Sequence, residues 1–251
     1  MRSATRNMGW CALLCLLAGC GQESKPLPAV SASGVTASQE EISAAAQLQQ
    51  RKWSVGREFI TQGPVTSLAT PMAMKLPDGI PAEDLKFIGA LRNLNNLQLT
   101  DVRLDEPLLV FIGKIDSLKA LGISSSSDFQ RSTFPVEGAK HLLGLKKLES
   151  LTFVGTDLTD DAIEILSNIK TVRSVYLFGT RVTDTGIKAV AQMPQLDELQ
   201  LSQQVTDAGL QELAAANSLK LLKLPLDIRP PGITDAGLAD FRKAHPTCKI
   251  E

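Results

Sequence analysis

The sequence predicts an α/β solenoid, with short parallel strands on a concave face and helices on a convex face. Three observations predict it: leucines recur in the pattern L-x-x-L-x-L, this pattern returns about every 24 residues, and a Thr-Asp motif follows at a fixed place in several units. Because no single unit can bury its own apolar face, neighbouring units must stack and share one core. We expect about six to seven repeats.

The strand of each unit carries the leucine pattern. The first apolar residues of the aligned copies, separated by 24, 30, 24, 24 and 23 residues, are Leu94, Leu118, Leu148, Val172, Leu196 and Leu219. Within x-x-L-x-L the two apolar residues share one face of a strand and point into the core, while the residues between them point out. We expect a degenerate unit at Met72, Met74 and Leu76 before these copies and a stub at Cys248 and Ile250 after them.

The helix of each unit begins at the second motif. Its copies read LTDDAI, VTDTGI, VTDAGL and ITDAGL, and start at Leu158, Val182, Val205 and Ile233. Either side chain of the Thr-Asp pair can accept a hydrogen bond from a free N–H of the first helical turn, and the acid suits the positive end of the helix dipole. We therefore interpret the repeated acids as helix-starting residues and not as acid–base pairs. They are Asp160, Asp184, Asp207 and Asp235.

Together the two motifs resemble the leucine-rich-repeat superfamily, in the 24-residue variety with T-D-A-G-L at the start of the convex helix. The resemblance covers about residues 70–251 and implies a solenoid that binds another macromolecule. One departure concerns the asparagine that satisfies turn backbone groups in the family. Its position is occupied here by Thr156, Thr180, Ser126, Asp227, Val102 and Gln204. The Val102 turn must satisfy its backbone in another way, for example through water.

The first twenty residues have the pattern of a bacterial lipoprotein signal. Arg2 and Arg6 precede ten uncharged residues, 8–17, which are too few to span a bilayer. The following Leu-Ala-Gly-Cys sequence ends at Cys20 and resembles the lipobox, which implies that residues 1–19 are removed and that Cys20 is acylated. An ordinary secretory leader with a chance cysteine is the alternative. We expect a lipid-anchored protein of the cell envelope, on the periplasmic or cell-surface side.

Residues 20–50 contain no aromatic residue and are rich in Ser, Ala and Gln, which predicts a flexible tether. Ser38 followed by Glu41 could cap a helix that runs towards Trp53 and shields the first repeat. Cys248, at a core-like position, is expected to be a buried structural thiol. The predicted domains are a signal peptide (1–19), the tether (20–50), an N-terminal cap with the degenerate first repeat (51–93) and the repeat domain (94–251).

Composition and motifs give little support to nucleic-acid binding, metal binding or catalysis. The formal net charge is −1, so no overall basic excess is present to neutralise phosphates. We interpret the basic cluster Lys140, His141, Lys146 and Lys147 as a solvated face. His141 and His245 lie far apart and no cysteine pair has metal-ligand spacing. Because no catalytic motif is found either, we expect a monomer without enzymatic activity, cofactor, metal or nucleic-acid partner.

The candidate binding surface is the outward side of the strands. Most outward positions are small or polar, but Tyr176 and Phe178 are large aromatics with Val154 beside them, and such residues at solvent-facing positions indicate a binding site. We predict a protein partner on this face. The predicted contact residues are Tyr176, Phe178, Val154, Thr152, Gln200 and Gln98. The alternative is that the aromatics cover one another or pack against the N-terminal segment.

A second function remains open from the sequence, namely an envelope scaffold that binds cell wall or polysaccharide. It would use a polar strip on the same face: Asn96, Gln98, Thr100, Thr152 and Gln200. Two insertions, residues 124–133 and 225–232, are expected at one edge of the solenoid, where they either bind a partner or are simply tolerated.

Overall fold

The computed structural model describes residues 37–57, 65–70, 79–126, 133–225 and 229–251, which lie in one compact unit, Ala37–Glu251. The predicted signal peptide and Cys20 lie outside the described residues. No helix in the described ranges is both long and apolar enough to cross a membrane.

The described strands form one nine-stranded sheet in chain order. They are β1 (Ser54–Arg57), β2 (Val65–Ala69), β3 (Asn96–Thr100), β4 (Ala120–Ser124), β5 (Ser150–Val154), β6 (Ser174–Tyr176), β7 (Glu198–Gln200), β8 (Leu221–Lys223) and β9 (Lys249–Ile250). β1 pairs with β2 in antiparallel orientation, and every later pair is parallel. A parallel sheet built from successive neighbours is what a stack of similar units produces, so the predicted α/β leucine-rich-repeat solenoid is confirmed.

The helices connect these strands. They are α1 (Gln39–Gln50), α2 (Ala82–Gly89), α3 (Glu106–Ile112), α4 (Asp160–Leu166), α5 (Asp184–Val190), α6 (Asp207–Glu212) and α7 (Asp235–Ala244), with 3₁₀ helices at Glu137–Gly144 and Leu213–Ala215. The unit between β4 and β5 therefore carries a 3₁₀ helix where the units after it carry an α-helix that begins at Thr-Asp.

The core follows the predicted leucine pattern. The strand register aligns one apolar side chain from each of β2 to β8, and each of these side chains is at most 1% exposed: Leu68, Leu97, Leu121, Leu151, Val175, Leu199 and Leu222. A second buried row begins with Leu99, Ile123 and Phe153. Because side chains alternate across a strand, these two rows leave the intervening residues on the opposite face of the sheet.

The N-terminal cap contains the helix predicted from Ser38. The Ser38 hydroxyl accepts a hydrogen bond from the Glu41 amide at 3.1 Å, which caps α1. Ala44, Ala45 and Leu48 on this helix are buried in the common core. The segment expected to be a flexible tether, 20–50, thus overlaps the folded unit from residue 37 onward, because the alanines and Leu48 form one apolar helical stripe.

The strand of the first, degenerate unit differs from the expectation. We predicted it at Met72, Met74 and Leu76, which lie outside the described residues. The strand that pairs with β3 is instead β2, in which Leu68 is aligned with Leu97 and is 1% exposed. Leu68 and Leu97 are 29 residues apart in the sequence, more than the 24 that separate most of the aligned copies, so a constant spacing predicts the first strand too late in the chain.

Candidate binding surface on the sheet

Four of the six predicted contact residues lie in a single outward row. The register places Gln98, Gly122, Thr152, Tyr176, Gln200 and Lys223 side by side, from β3 to β8. This confirms that Gln98, Thr152, Tyr176 and Gln200 share one face, as the alternation of the sequence predicted. Whether they contact a partner stays a prediction.

Tyr176 is held in place by charged residues of the two following strands. The Lys223 ammonium lies 5.3 Å from the centroid of the Tyr176 ring, a cation–π distance. Lys223 also forms an ion pair with Glu198, and Glu198 hydrogen-bonds the Tyr176 side chain. Burial, and then this carboxylate, raise the pKa of Tyr176 well above its usual range, so the phenol stays protonated. We call these three residues the Tyr176 cluster.

Glu198 and Lys223 were not among the predicted contact residues. The signal for them was present in the sequence, since both occupy outward strand positions and carry opposite charges on adjacent strands. These contacts restrain the Tyr176 ring, which stays partly exposed. The cluster therefore offers a partner a flat apolar ring bordered by both signs of charge.

Gln200 lies in the outward row but is only 3% exposed. Its amide oxygen is buried and has no hydrogen-bond partner within the described residues. Because an unsatisfied buried acceptor costs about 1–3 kcal/mol, Gln200 is a strained position under the surface and not an exposed contact. The expectation that it faces solvent was wrong, since its neighbours in the row carry the larger Tyr176 and Lys223 side chains.

The expectation that Val154 and Phe178 are exposed was also wrong: they are 2% and 8% exposed, respectively. β6 ends at Tyr176, and the chain turns at Phe178, so the alternation of the strand no longer applies there. The Phe178 carbonyl accepts a hydrogen bond from the Gly155 amide at 2.9 Å, which ties the turn to the preceding unit. Tyr176 is thus the only one of the three predicted anchors that a partner can reach without rearrangement.

The polar strip of the early strands is occupied by its own hydrogen bonds. The Gln98 amide donates to Asn96 Oδ1 at 3.0 Å, and the Thr100 and Ser124 hydroxyls are 2.9 Å apart. The Gln98 side chain lies across Gly122, since a Cβ there would be 1.6 Å from Gln98 Oε1. Asn96, Gln98, Thr100 and Ser124 thus each make at least one side-chain hydrogen bond within the sheet.

At two of the turns that lack the family asparagine, a nearby residue of another type makes hydrogen bonds. Asp101, which has a φ of 54°, accepts a hydrogen bond from the Ser126 amide at 2.6 Å in the Val102 unit. Ser202, and not Gln204, enters the next such turn, where its hydroxyl accepts from the Gln204 amide at 3.2 Å and donates to the Val182 carbonyl. Thr156, predicted to bond, has a buried hydroxyl without a partner in the described residues, and Asp227 lies outside them.

The Thr-Asp motif joins consecutive units, which the sequence did not predict. Asp184 accepts bonds from the Thr206 amide at 2.8 Å and from the Thr206 hydroxyl at 2.6 Å. Asp160 with Thr183, and Asp207 with Thr234, repeat the same pair of bonds. The threonine caps its own helix, while the acid, predicted to start its own helix, binds the threonine of the following unit. We call this series the Asp–Thr ladder.

The ladder explains why three copies of the motif have glycine at the same position. A Cβ on Gly209 would lie 2.4 Å from Asp184 Oδ1, and equivalent short distances are found at Gly186 and Gly237. The unit before α4 has a 3₁₀ helix and supplies no such acid. There the motif carries Ala162 in place of glycine, and the Thr159 hydroxyl is buried without a partner in the described residues.

The remaining candidate groups show no site chemistry. No group of three or more His, Cys, Asp or Glu side chains that could hold a metal ion is found in the part of the chain that the structure describes. Cys248 is partly buried, and this burial raises the pKa of its thiol. His245 is buried, stacks on Phe241 and lies 2.9 Å from the Leu213 carbonyl, so its contacts are those of a core residue.

Fold and surface together define the class of this protein as a leucine-rich-repeat α/β solenoid with a polar, partly aromatic sheet face. No protein-family profile matches the sequence, and no curated protein matches it. Solved structures with similarity include actin-binding site 2 of leiomodin-1, at 14% identity over 55% of this chain and 86% of that chain, with a TM-score of 0.40.

Two further solved structures have similarity to this chain. The ectodomain of the Arabidopsis receptor kinase HAESA, with an IDA peptide hormone, is 17% identical over 62% of this chain and 26% of that chain, with a TM-score of 0.41. The PEPR1–AtPEP1 structure is 18% identical over 64% of this chain and 22% of that chain, with a TM-score of 0.35. This chain therefore spans about a quarter of the length of these two receptors.

Proposed function

We propose that this chain is a non-catalytic protein-binding module, anchored to a membrane of the cell envelope, whose partner docks on the sheet at the Tyr176 cluster. The observation that carries the proposal is the Tyr176 ring, partly exposed in the outward row and in contact with Glu198 and Lys223. A tyrosine that such contacts already restrain loses less conformational entropy when a partner covers it, which suits an interface anchor.

A protein partner is preferred over cell wall or polysaccharide for a specific reason. Sugar recognition would need free donors and acceptors along the polar strip, but Gln98 bonds to Asn96, Thr100 to Ser124, and Gln200 is buried. The Tyr176 cluster instead combines an apolar ring with both charges, as interface hot spots do. Of the four repeated acids, which a catalytic proposal would need, Asp160, Asp184 and Asp207 are engaged in the Asp–Thr ladder, and Asp235 forms an ion pair with Arg229.

The membrane anchor is supported by the sequence Leu-Ala-Gly-Cys ending at Cys20 and by the short uncharged stretch before it. Cells fed a clickable fatty acid should incorporate label into the wild-type chain and not into a Cys20→Ser variant. Equal labelling of both would reject this part of the proposal, and leave the binding surface to be tested by itself.

Crosslinking in the native host tests the binding surface. A photo-crosslinking amino acid at position 176 should give one discrete protein adduct, whereas the same amino acid at Glu164, exposed on α4, should not. The adduct protein, once purified, should bind Tyr176→Ala at least about tenfold more weakly than wild type, as expected for a hot-spot residue. Tyr176→Phe should lose less affinity because the ring remains.

The outcomes separate the candidate functions. Unchanged affinity of a folded Tyr176→Ala variant for the adduct protein would reject the Tyr176 cluster as the docking site. Retention of the full chain on purified wall material, with no protein adduct at position 176, would favour the envelope-scaffold function instead.

A further inference from the structure

The two edges of the sheet carry opposite charge. The turns that lead into β3 to β8 contain eight basic and three acidic residues; they are residues 92–95, 114–119, 146–149, 170–173, 194–197 and 217–220. The segments that follow these strands contain three basic and ten acidic residues; they are residues 101–107, 133–137, 155–161, 177–184, 201–207 and 229–235. A chain whose net charge is only −1 is therefore strongly polarised.

Helix dipoles account for the sign of each edge but not for the number of bases. Acids at helix N-termini are used structurally, as the Asp–Thr ladder shows. On the basic edge, hydroxyls supply the structural bonds: Ser117, Thr171 and Ser218 donate to the carbonyls of Leu94, Leu148 and Leu196, at 2.6, 2.7 and 2.8 Å. The bases of this edge are therefore not the donors in these three structural bonds.

Three of the six units depart from this hydroxyl series. Asn93, Lys147 and Gln195 occupy the position, directly before the first apolar residue of the unit, that Ser117, Thr171 and Ser218 occupy in the other three. None of the three has a hydroxyl, so each of these units gives up a bond worth about 1 kcal/mol that the others retain. At Lys147 an exposed positive charge stands in place of that bond, which points to a role other than stability.

Two of these residues, Lys147 and Gln195, line the same groove. Its volume is about 450 Å³, and its walls carry the bases Lys119, Lys146, Lys147 and Arg173, with Glu149 as the acid among the lining residues. We call it the basic groove. It lies where the strands begin, whereas the Tyr176 cluster lies on the outward face of the strands.

The bases of the groove are only partly neutralised. Lys119 is 3.8 Å from Glu149, and Arg173 pairs with Asp197, which Lys220 also contacts at 3.0 Å. Lys146 and Lys147 are exposed and form no ion pair within the described residues. Of the predicted solvated cluster, Lys140 and His141 bond instead to Glu137 and Glu106. Of the three lysines that line the groove, Lys146 and Lys147 are thus the two without an ion pair in the described residues.

We propose that the basic groove binds a phosphate-bearing anion. Ammonium groups bind phosphate as compact point charges, and a guanidinium at the groove wall adds directional donors to phosphate oxygens. Two sources share this chemistry, the headgroup of an anionic phospholipid and a soluble phosphate compound. A phospholipid source would orient a lipid-anchored domain on its membrane. The inference does not depend on the Tyr176 cluster, so either can fail alone.

Vesicle binding and calorimetry test the inference on the full chain, with Cys20→Ser so that acyl chains play no part. Vesicles of phosphatidylcholine with phosphatidylglycerol, vesicles of phosphatidylcholine alone, and inorganic pyrophosphate are the three probes. The decisive variant is Lys147→Thr, which removes a charge and restores the hydroxyl of the series. Lys146→Ala is the second variant, and Lys243→Thr, a lysine at the end of α7, is the charge-matched control.

The expected result is that Lys147→Thr and Lys146→Ala each weaken binding of an anionic probe by about threefold or more, and the double variant by about tenfold, while the control is unchanged. Lys147→Thr should unfold at the wild-type temperature or above it. Binding to phosphatidylglycerol vesicles that pyrophosphate does not displace identifies a lipid headgroup; binding of pyrophosphate itself identifies a soluble phosphate. No binding of either anion, or equal binding by the folded double variant, would overturn the inference.

Discussion

The C-terminal units of the solenoid and the units before them are joined by different polar contacts. From α4 to α7, each unit binds the next through one acid and one threonine in the Asp–Thr ladder. From β2 to β4 the contacts lie at the strand ends, where Thr70 and Thr100 bond at 2.7 Å and Asp101 accepts from Ser126. The comparison teaches that the ladder forms only where one unit supplies an acid and the next a threonine. At its two ends, Thr159 and Asp235 keep the motif without a ladder bond.

The N-terminal cap is fastened in a third way, by a buried carboxylate. Asp84 is 4% exposed and accepts hydrogen bonds from Trp53 Nε1 at 2.8 Å and from Arg51 Nη1 at 2.9 Å. The Arg51 guanidinium also lies 5.5 Å from the centroid of the Phe87 ring. These contacts join α1 and the following turn to α2. Among the described residues of the C-terminal units, no carboxylate is buried to this extent.

The largest expected effect comes from Gly209→Ala. Its Cβ would lie 2.4 Å from Asp184 Oδ1 and 2.7 Å from Val205 Cγ1, so either the ladder or the helix must move. We expect the free energy of unfolding to fall by about 2–3 kcal/mol, measured by urea denaturation followed by circular dichroism. Ala162→Gly, at the equivalent place without a facing acid, should cost only about 1 kcal/mol. Adding Asp184→Ala to Gly209→Ala should recover part of the loss.

Gly209→Ala and Ala162→Gly together test whether the Asp–Thr ladder distinguishes the C-terminal units. If Gly209→Ala costs no more than Ala162→Gly, the close approach of the acid is not what selects glycine. If Asp184→Ala gives no recovery, the clash with Val205 alone explains the cost, and the ladder is incidental to it.

Trp53→Phe should have the next largest effect. The phenyl ring keeps most of the apolar contact but removes the donor to Asp84, which is left buried with Arg51 as its remaining partner. The expected loss is about 1–2 kcal/mol in the free energy of unfolding. Lys52→Ala, an exposed neighbour in the same turn, serves as the control and should be neutral. A loss equal to that of the control would show that the Trp53–Asp84 bond does not hold the cap.

Acidification should weaken the Asp–Thr ladder. Hydrogen bonds from the Thr234 hydroxyl and amide lower the pKa of Asp207 below its usual value. A carboxyl whose folded-state pKa is depressed adds stability above its unfolded pKa of about 3.9, and this stability is lost as the pH falls through the lower folded value. Unfolding measured between about pH 6 and pH 3 should therefore show a smaller loss in Asp207→Asn than in wild type. Parallel curves for the two proteins would contradict the assignment.

The smallest expected effect is a gain. Lys147→Thr restores the hydroxyl that Ser117, Thr171 and Ser218 use, and should raise the free energy of unfolding by about 0.5–1 kcal/mol. Thr171→Val, which removes such a hydroxyl without changing the size of the side chain, should lower it by a similar amount. Loss of stability in Lys147→Thr would show that the position is not equivalent to the other three.

The sequence was sufficient to predict the strand register and the core. Apolar residues at alternate positions of a strand share one face, and only that face can be buried in the core. Leu97, Val175 and Leu222 lie where that rule placed them. It was not sufficient for Phe178, since the length of a strand depends on pairing with its neighbours and β6 ends two residues earlier. Nor was it sufficient for Leu68, because the sequence separation between Leu68 and Leu97 differs from the 24-residue spacing of most of the later units.

The contacts of the candidate site were only partly predictable. Tyr176 could be found, because it is an aromatic residue at an outward position, but Glu198 and Lys223 acquire their role only when three strands come together. The direction of the Asp–Thr ladder was likewise hidden, since a Thr-Asp pair at a helix start is fully explained by capping. The sequence did contain one indication of the ladder: three copies of the motif have glycine where the first copy has Ala162. This difference is visible only when all four copies are compared.

The Asp–Thr ladder also constrains how such an array can grow. A copy of the segment from Val182 to Gln204 inserted after itself would bring a threonine to meet the acid before it, an acid for the unit after it, and a glycine that leaves room for both. The same segment placed ahead of Leu158 would find no acid for its threonine, and its own acid would press against the Ala162 methyl group. Gene duplication within this chain is therefore tolerated in one direction, towards the C-terminus, and lengthening at the other end requires a new kind of junction.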